Sequence, residues 1–306
     1  MSEAPPLGTE PLFEKVALIG LGLIGSSLGH AMKRAGIARH IAGCARSKKT
    51  RDTAMRIGFI DSVYDDQSNA VQDADLTILC IPVGVCGRVC QHIANNLKPG
   101  SILTDVGSVK GAVIKACSPH IPKTVHFVPG HPMAGTEHSG PEAGFAELFD
   151  NKWCMLTPLL DGNETATKKL TAFWQACGSN VEVMTPEHHD LVAAITSHLP
   201  HLIAFNIVGT ADDIEGIAER EVIKYAAGGF RDFTRIAASD PTMWRDVFLN
   251  NKEAVLDVLG RFNEDLSRLT RAIRDQDGET LFAQFERTKK IRQSILDEDQ
   301  SEKQKK

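Results

Sequence analysis

Apolar positions along the first 185 residues fall into two kinds of pattern. A short apolar run at 15–19 is followed by a glycine-rich turn and then by apolar positions at helical spacing, ending at Gly36. A second short apolar run follows at 41–45. Short continuous apolar runs are typical of buried strands, and a period of 3.6 residues is typical of amphipathic helices. The pattern therefore predicts a strand, a turn, a helix and a second strand.

The alternation of strand and helix patterns continues beyond this unit. We predict helices at 51–57, 85–97, 144–148 and 164–177, and strands at 59–63, 75–80, 101–106, 125–129, 152–158 and 181–184. Strands that alternate with helices are typical of a parallel sheet covered on both faces. We therefore expect an α/β fold, with a doubly wound sheet of the Rossmann type over residues 13–185.

The pattern changes after Thr185. Thr185 as N-cap and Pro186 at the first helical position form a strong helix start. From there helical periodicity runs to about residue 296 and strand signals cease. We expect a second, all-helical domain over 186–296, with disordered tails at 1–12 and 297–306. Pro200 should remove a backbone hydrogen bond and kink its helix.

Composition narrows the class of protein. The net charge is −5 and no Lys/Arg run is interleaved with aromatic residues, so we expect no nucleic-acid partner. We find no stretch of about 18 apolar residues, so we expect no membrane span, and without a signal-like leader we expect a cytoplasmic protein. The seven scattered cysteines indicate reduced thiols.

The glycine-rich turn carries the first chemical signal. Gly20, Gly22 and Gly25 form a Gly-x-Gly-x-x-Gly motif, with Leu23 and Ile24 between the last two. A motif of this kind between a strand and a helix binds the diphosphate of a dinucleotide at the helix N-terminus. Because the flanking strands and the helix are all predicted here, we favour a dinucleotide site over an unliganded turn.

The next strand bears on the choice of cofactor. NAD sites usually carry an acid about 20 residues beyond the glycines, where it binds the ribose 2′-OH. Here Ala45 is followed by Arg46 and Ser47, so the site leans towards NADP or towards the use of both NAD and NADP. Arg46 could instead be solvated or stack on adenine. Ile81 and Pro82 follow another strand and are expected to flank the same cofactor.

Two further side chains are expected at the carboxyl edge of the sheet. Ser108 follows the strand at 101–106, and the strand at 125–129 leads to His131. His131 lies in a glycine- and proline-containing stretch, 130–135, which we interpret as a rigid loop. An imidazole can accept or release a proton near neutral pH, so both residues are catalytic candidates. A structural His and a Ser108 that only caps a helix are the alternatives.

The helical domain offers possible substrate ligands. His189, His198 and His201 could be core residues, metal ligands or pocket donors, and we favour pocket donors without a metal. Arg235 follows a Gly-Gly pair and Arg231, at a spacing that suits a carboxylate. An interhelix turn with solvated arginines is the alternative.

Five stretches together resemble the prephenate/arogenate dehydrogenases of tyrosine biosynthesis. They are the glycine motif, Asp105-Val106-Gly107-Ser108-Val109-Lys110, Gly130-His131-Pro132-Met133-Ala134-Gly135 with Glu137, Ser197-His198-Leu199-Pro200-His201, and the stretch 229–237. The resemblance implies a nucleotide-binding domain, a helical domain that forms a homodimer, and prephenate or arogenate as the small-molecule substrate.

The resemblance also implies a role for each matching residue. His131 would accept the proton of the ring hydroxyl, Ser108 would hydrogen-bond both that hydroxyl and His131, and Arg235 would bind the ring carboxylate. Hydride would pass from the ring to NAD or NADP while the carboxylate leaves as CO2. The residues expected to line or gate the pocket are Thr136, Glu137, His189, His198 and His201.

Two other functions remain open from the sequence. A β-hydroxyacid dehydrogenase also joins such a domain to helices, but it needs a lysine where this chain has none between Lys169 and Lys224. A dinucleotide-binding regulatory module without catalytic activity is the third interpretation.

Overall fold

The computed structural model describes residues 10–136, 138–215 and 228–304. The chain divides into two compact units, Met1–Val255 and Leu256–Lys306. The β-strands of the described residues all lie in the first unit, and the described part of the second unit is helical.

A six-stranded parallel sheet forms the centre of the first unit. Its strand order is β3-β2-β1-β4-β5-β6. The strands are β1 (Phe13–Ile19), β2 (Ala38–Cys44), β3 (Ser62–Tyr64), β4 (Leu76–Leu79), β5 (Ile102–Asp105) and β6 (His126–Phe127). The helices between them are α1 (Leu23–Ala35), α2 (Lys48–Ile57), α3 (Gln67–Val71), α4 (Cys86–Ile93) and α5 (Lys110–Cys117). The order reverses between β1 and β4, which is where ligands bind in such sheets. The predicted Rossmann-type fold is confirmed.

Both faces of this sheet are buried. Alternate residues of β1 point to opposite faces, so Val16 and Leu18 join one apolar cluster and Ala17 and Ile19 join the other. Helices cover both clusters, which explains why the strands appear in the sequence as continuous apolar runs.

A second, three-stranded sheet follows, in the order β7-β8-β9. It consists of β7 (Gly130–Pro132), β8 (Trp153–Leu156) and β9 (Asn180–Val183), with α6 (Glu164–Ala176) between the last two strands. The prediction that His131 lies in an irregular loop is wrong. His131 is the central residue of β7 and pairs with Met155 of the antiparallel strand β8. Short edge strands tolerate Pro132 because a proline nitrogen can face away from the ladder.

The chain is helical after Thr185, whose hydroxyl accepts a hydrogen bond from the His188 N–H group, as expected of an N-cap. The helices are α7 (Pro186–Ala193), α8 (Leu199–Glu215), α9 (Gly228–Thr234), α10 (Pro241–Asn250), α11 (Lys252–Arg274) and α12 (Gly278–Gln304). The predicted disturbance at Pro200 takes the form of a π-helical turn, Ala194–His198, between α7 and α8. Helix α12 continues past residue 296 into the segment that we expected to be a disordered tail. Residues 1–9 of the expected N-terminal tail lie outside the described residues.

The helical segment Pro186–Ile214 reaches the length and composition of a membrane-crossing helix, with a mean hydropathy of 1.6 in its most apolar window. The prediction that the chain contains no such stretch is therefore wrong. Core helices of soluble proteins meet the same criterion, and 28% of this window is buried. The segment also carries His189 and His198, whose fully buried side chains belong to the site described below.

Candidate active site

Three strand ends lie side by side at the carboxyl edge of the large sheet. Ile19, Leu79 and Asp105, the last residues of β1, β4 and β5, are in register with one another. The turn after β1, Gly20–Gly25, is called the phosphate turn below. The segments after β4 and β5 lie beside it, so sequence-distant residues meet along one edge.

The phosphate turn has the shape that a dinucleotide requires. Gly20 has a φ of +106°, and an added Cβ would lie 2.2 Å from the Cys80 carbonyl oxygen. A Cβ at Gly25 would lie 2.1 Å from the Gly20 carbonyl oxygen, so this turn packs tightly on α1. A Cβ on Gly22 would meet no protein atom within 4 Å. The open side of Gly22 is therefore where a diphosphate can approach the backbone.

The N-terminus of α1 is suited to an anion. Leu23 and Ile24 open the helix, which has no side-chain cap and no acidic residue in its first turn. Free N–H groups and the helix dipole favour negative charge at such a terminus. Ile81 lies beside the turn, since its Cγ2 is 3.0 Å from a Cβ built on Gly20, and Pro82 follows it along the same edge. These residues fit a dinucleotide.

The end of β2 carries the residues expected to distinguish NAD from NADP. Arg46 is exposed, and in the described part of the chain its side chain forms no hydrogen bond or ion pair. The Ser47 hydroxyl caps α2 by accepting a hydrogen bond from the Thr50 N–H group at 3.4 Å. Arg51 holds this segment in place, because its guanidinium donates to the carbonyl oxygens of Ala45 and Arg46, each at 2.8 Å. Arg46 therefore remains available to a ligand.

His131 forms a buried chain of hydrogen bonds with two residues of α7. Its Nδ1 lies 2.8 Å from Nε2 of His189, and Nδ1 of His189 lies 2.9 Å from Oδ1 of Asp190. The two imidazole rings meet edge to face, with centroids 5.0 Å apart. We call His131, His189 and Asp190 the His-His-Asp chain. It joins residues that are 58 positions apart in the sequence.

Asp190 also caps a helix of the large sheet. Its carboxylate accepts hydrogen bonds from the N–H groups of Lys110 at 2.8 Å and Gly111 at 2.9 Å. These are the first residues of α5, which has no side-chain cap from its own N-cap residue, Val109. A carboxylate at a helix N-terminus gains from the free N–H groups and from the dipole. Asp190 therefore fixes α7 to the N-terminus of α5.

A fully buried ion pair holds the residue before His131. The Lys110 ammonium donates a short hydrogen bond to the Asp105 carboxylate and another, at 2.5 Å, to the Gly130 carbonyl oxygen. The same carboxylate accepts from the N–H groups of Gly107 at 2.8 Å and Gly130 at 3.3 Å. We call Asp105 and Lys110 the buried clamp. It binds both backbone groups of Gly130, so it fixes the start of β7.

Ser108 and His198 lie near this clamp. Ser108 is half-buried, and in the described residues no hydrogen bond joins its hydroxyl to His131. His198 lies close to the Ser108 backbone, and its Nδ1 accepts from the Asn251 side-chain amide at 3.0 Å. The same amide donates to the Asp190 carbonyl oxygen at 2.9 Å. Ser108 is also not the N-cap of α5, since that position is Val109.

His201 lies near both His198 and Arg235. The His201 ring stacks on Trp244, with centroids 3.7 Å apart, and its Nδ1 donates to the Ser197 carbonyl oxygen at 2.9 Å. Burial lowers the pKa of His201, and the Arg235 guanidinium lowers it further. Arg235 is exposed at the start of a short 3-10 turn, Arg235–Ala238.

The other predicted pocket residues are Thr136 and Glu137. Thr136 is exposed, and its hydroxyl accepts a hydrogen bond from the His138 N–H group within its own loop. Glu137 lies outside the described residues. Within the described chain, no group of three His, Cys, Asp or Glu side chains is arranged to hold a metal ion.

Burial keeps the histidines of this site neutral. Burial lowers the pKa of His131 well below 6.5, and the nearby His189, Lys110 and His198 lower it further. Burial also lowers the pKa of His198, to about 4. The pKa of His189 falls for the same reason, although its bond to Asp190 opposes the shift. At neutral pH the nitrogen of His131 that is not bonded to His189 can therefore accept a proton.

Several residues of the site were not predicted from the sequence. Asp190, Asn251 and Trp244 contact His189, His198 and His201, and the buried clamp lies beneath Gly130. One signal could have revealed Asp190: it is an acid within an apolar helical segment, immediately after a candidate histidine.

Comparisons with known proteins agree with this architecture. The A. aeolicus prephenate dehydrogenase, solved in complex with hydroxyphenyl propionate and NAD+, matches with a TM-score of 0.86 and 34% identity, covering 92% of this chain and 98% of that one. The Synechocystis arogenate dehydrogenase matches with a TM-score of 0.78 and 28% identity, covering 92% of this chain and 99% of that one.

Sequence comparison gives the same result. The cyclohexadienyl dehydrogenase of Zymomonas mobilis is 42% identical over 284 residues, which cover 93% of this chain and 97% of that protein. The family description of a prephenate dehydrogenase nucleotide-binding domain matches residues 28–183, and that of a prephenate dehydrogenase dimerization domain matches residues 185–287. Because these matches span most of its length, the chain belongs to the prephenate dehydrogenase family of oxidoreductases.

Proposed function

We propose that the protein catalyses the oxidative decarboxylation of prephenate, arogenate or both, with hydride transfer to NAD or NADP, in tyrosine biosynthesis. The observation that carries the proposal is a buried, neutral His131 close to the strand ends that carry the phosphate turn. Family membership removes the β-hydroxyacid dehydrogenase interpretation. A binding module without catalytic activity becomes an outcome of the assay below.

The proposed chemistry needs one proton acceptor from the protein. When bound, the dinucleotide would supply the acceptor for the hydride that leaves the ring carbon bearing the hydroxyl. The hydroxyl O–H bond breaks and its proton joins Nε2 of His131, which has no hydrogen-bond partner in the described chain. The ring carboxylate leaves as CO2, and the electrons of the broken C–C bond complete the aromatic ring. The electron pair displaced onto the ring oxygen takes the proton back from His131, which gives the phenol and restores the neutral imidazole. A positioned general base typically contributes about 10²–10⁴-fold to such a rate.

Other residues would hold the substrate. Arg235 is exposed and carries the guanidinium that would pair with the ring carboxylate. The Ser108 hydroxyl, which makes no hydrogen bond to the described protein, would bind the ring hydroxyl. His198, His201, Thr136 and Glu137 would border the pocket.

The choice between NAD and NADP, and between prephenate and arogenate, is also part of the proposal. Ala45 offers no carboxylate to the ribose, and the unpaired Arg46 offers a cation to a 2′-phosphate, so we propose that NADP is accepted as well as NAD. The A. aeolicus relative was solved with NAD+. Relatives named for prephenate, cyclohexadienyl and arogenate substrates support testing both prephenate and arogenate.

We further propose a homodimer through the helical domain. The matched dimerization domain supports this, and so do apolar side chains of α7, the π-helical turn and α8 that are exposed in the single chain. They include Leu191, Ile195, Ile207, Val208 and Ile214. Equilibrium sedimentation would test the dimer.

Absorbance of the reduced nicotinamide tests the function directly. Prephenate and arogenate are each supplied with NAD and with NADP. We expect turnover with at least one pair, and no turnover with any pair would overturn the proposal. His131→Asn should lower kcat by about 10²–10⁴-fold and leave dinucleotide affinity unchanged. The matched control is His188→Asn, which changes an exposed histidine of the same helix as His189. An unchanged kcat in His131→Asn would remove the base from the mechanism.

A further inference from the structure

The His-His-Asp chain determines which nitrogen of His131 carries the proton. An ionised carboxylate only accepts hydrogen bonds, so Nδ1–H of His189 donates to Asp190. The neutral His189 ring then has a lone pair on Nε2, which can only accept. Nδ1 of His131, 2.8 Å away, must therefore be the donor. In a neutral imidazole this leaves the lone pair of His131 on Nε2.

We propose that Asp190 and His189 are positioning residues that hold His131 in the tautomer whose Nε2 is a free base. The inference rests on the proposed function, because it assigns how the proton acceptor of that reaction is prepared. Neither residue needs to touch the substrate for this role. Asp190 orients His189, and His189 orients His131.

Asp190 is built to remain ionised in this role. Burial alone would raise its pKa, but the hydrogen bonds from His189 and from the N–H groups of Lys110 and Gly111 outweigh burial and lower it. Asp190 therefore does not take the proton from His189. It acts as a fixed negative charge, as the acid of a Ser-His-Asp triad does.

The charges around His131 explain why such support is needed. The groups that act on its ring are His189 on α7, Lys110 on α5 and His198 on the π-helical turn, with Asp105 of β5 paired to Lys110. The Cys154 thiol on β8 contacts the His131 backbone. Lys110 and burial both oppose an imidazolium. Once His131 has accepted a proton, its Nδ1–H bond to His189 strengthens, and the Asp190 charge at the end of the chain favours that state.

The tautomer can be observed without catalysis. In protein labelled with ¹⁵N-histidine, the ring nitrogen shifts distinguish Nδ1–H from Nε2–H, and the His131 signals are identified by their loss in His131→Asn. We expect the Nδ1–H form in the wild-type protein. The Nε2–H form would overturn the inference, whatever the activity of the enzyme.

Kinetics test the consequence. Asp190→Asn removes the charge that orients His189. His189→Asn keeps a side-chain donor for Asp190, and so keeps the α5 cap, but it cannot reach His131. We expect each variant to lower kcat by about 10- to 100-fold with KM for both substrates within about twofold. The acidic limb of kcat should move to lower pH, because the imidazolium loses its support.

The control is Asp277→Asn, which makes the same change at the exposed N-cap of α12 and should leave kcat and its pH profile unchanged. Wild-type kcat and pH profile in both site variants would overturn the inference while the proposed function stands. A wild-type protein without turnover would refute the proposed function, and the ¹⁵N result would still decide the tautomer.

Discussion

Replacing Lys110 with Met isolates the contribution of the buried clamp. Lys110 and Asp105 are both fully buried, and the Lys110 ammonium binds the carboxylate and the Gly130 carbonyl oxygen. Methionine is similar in length and fills much of the same space. It leaves the Asp105 carboxylate with two backbone N–H groups, those of Gly107 and Gly130, and no cation.

The expected loss is large because a buried charge is left uncompensated. Removing one partner of a buried ion pair typically costs about 3–5 kcal/mol. Urea unfolding at a fixed protein concentration measures this, and the slope of free energy against urea should not change. The matched control is Lys98→Met, since Lys98 forms an equally direct ion pair with Asp75 at 2.6 Å but is 45% exposed. That change should cost no more than about 1 kcal/mol.

The double variant Lys110→Met/Asp105→Leu separates the charge from the packing. Replacing both partners of a buried pair with apolar residues is often close to neutral, so the double variant should recover much of the lost stability. It should not recover kcat, because Lys110→Met already removes the hydrogen bond to the Gly130 carbonyl oxygen, and Asp105→Leu also removes the acceptor of the Gly130 N–H group. A loss below about 1 kcal/mol in Lys110→Met would refute the reasoning.

Three further outcomes follow from the site. Gly22→Ala should leave the thermal unfolding midpoint unchanged and weaken dinucleotide binding by about tenfold or more. Gly25→Ala should lower both the midpoint and the affinity, because its Cβ would lie 2.1 Å from a carbonyl oxygen. Thermal melts measure the midpoint and fluorescence titrations measure the affinity. Arg46→Ala should raise KM for NADP by about tenfold and leave KM for NAD within about twofold, and equal changes would argue against a contact with the 2′-phosphate. The free energy of unfolding should fall as pH drops from about 6.5 towards 4, because histidines in the unfolded chain bind protons in this range while the buried His131 and His198 stay neutral. Urea midpoints across this range measure the change, and midpoints that do not vary with pH would contradict the prediction.

The sequence predicted the parts of the fold that are determined locally. The run at 15–19, the phosphate turn and Gly36 lie within about 20 residues, and each step has its own periodicity or turn residue. Parallel strands place their carboxyl ends at one edge, so the proximity of the phosphate turn and Ser108 also followed from the order of elements. The confirmed helix start at Thr185 has the same local origin.

The contacts that organise the site could not be predicted in this way. The strand position of His131 depends on pairing with Met155, and a Gly-His-Pro sequence has no strong strand propensity of its own. Asp190 caps a helix that begins 80 residues earlier in the chain. Such contacts depend on tertiary packing, which neither periodicity nor residue spacing encodes. Because the capping side chain is distant, the sequence around Val109 contains no capping residue that would predict it.

The low pKa of His131 explains why the His-His-Asp chain is needed. Burial next to Lys110 keeps the imidazole neutral, which a base requires before the reaction, but the same surroundings disfavour the imidazolium that the reaction forms. A negative charge in direct contact would raise the pKa and could leave the histidine protonated from the start. Asp190 instead acts from beyond His189, while Asp105 offsets Lys110. The arrangement keeps Nε2 unprotonated at rest and still stabilises the proton once it arrives.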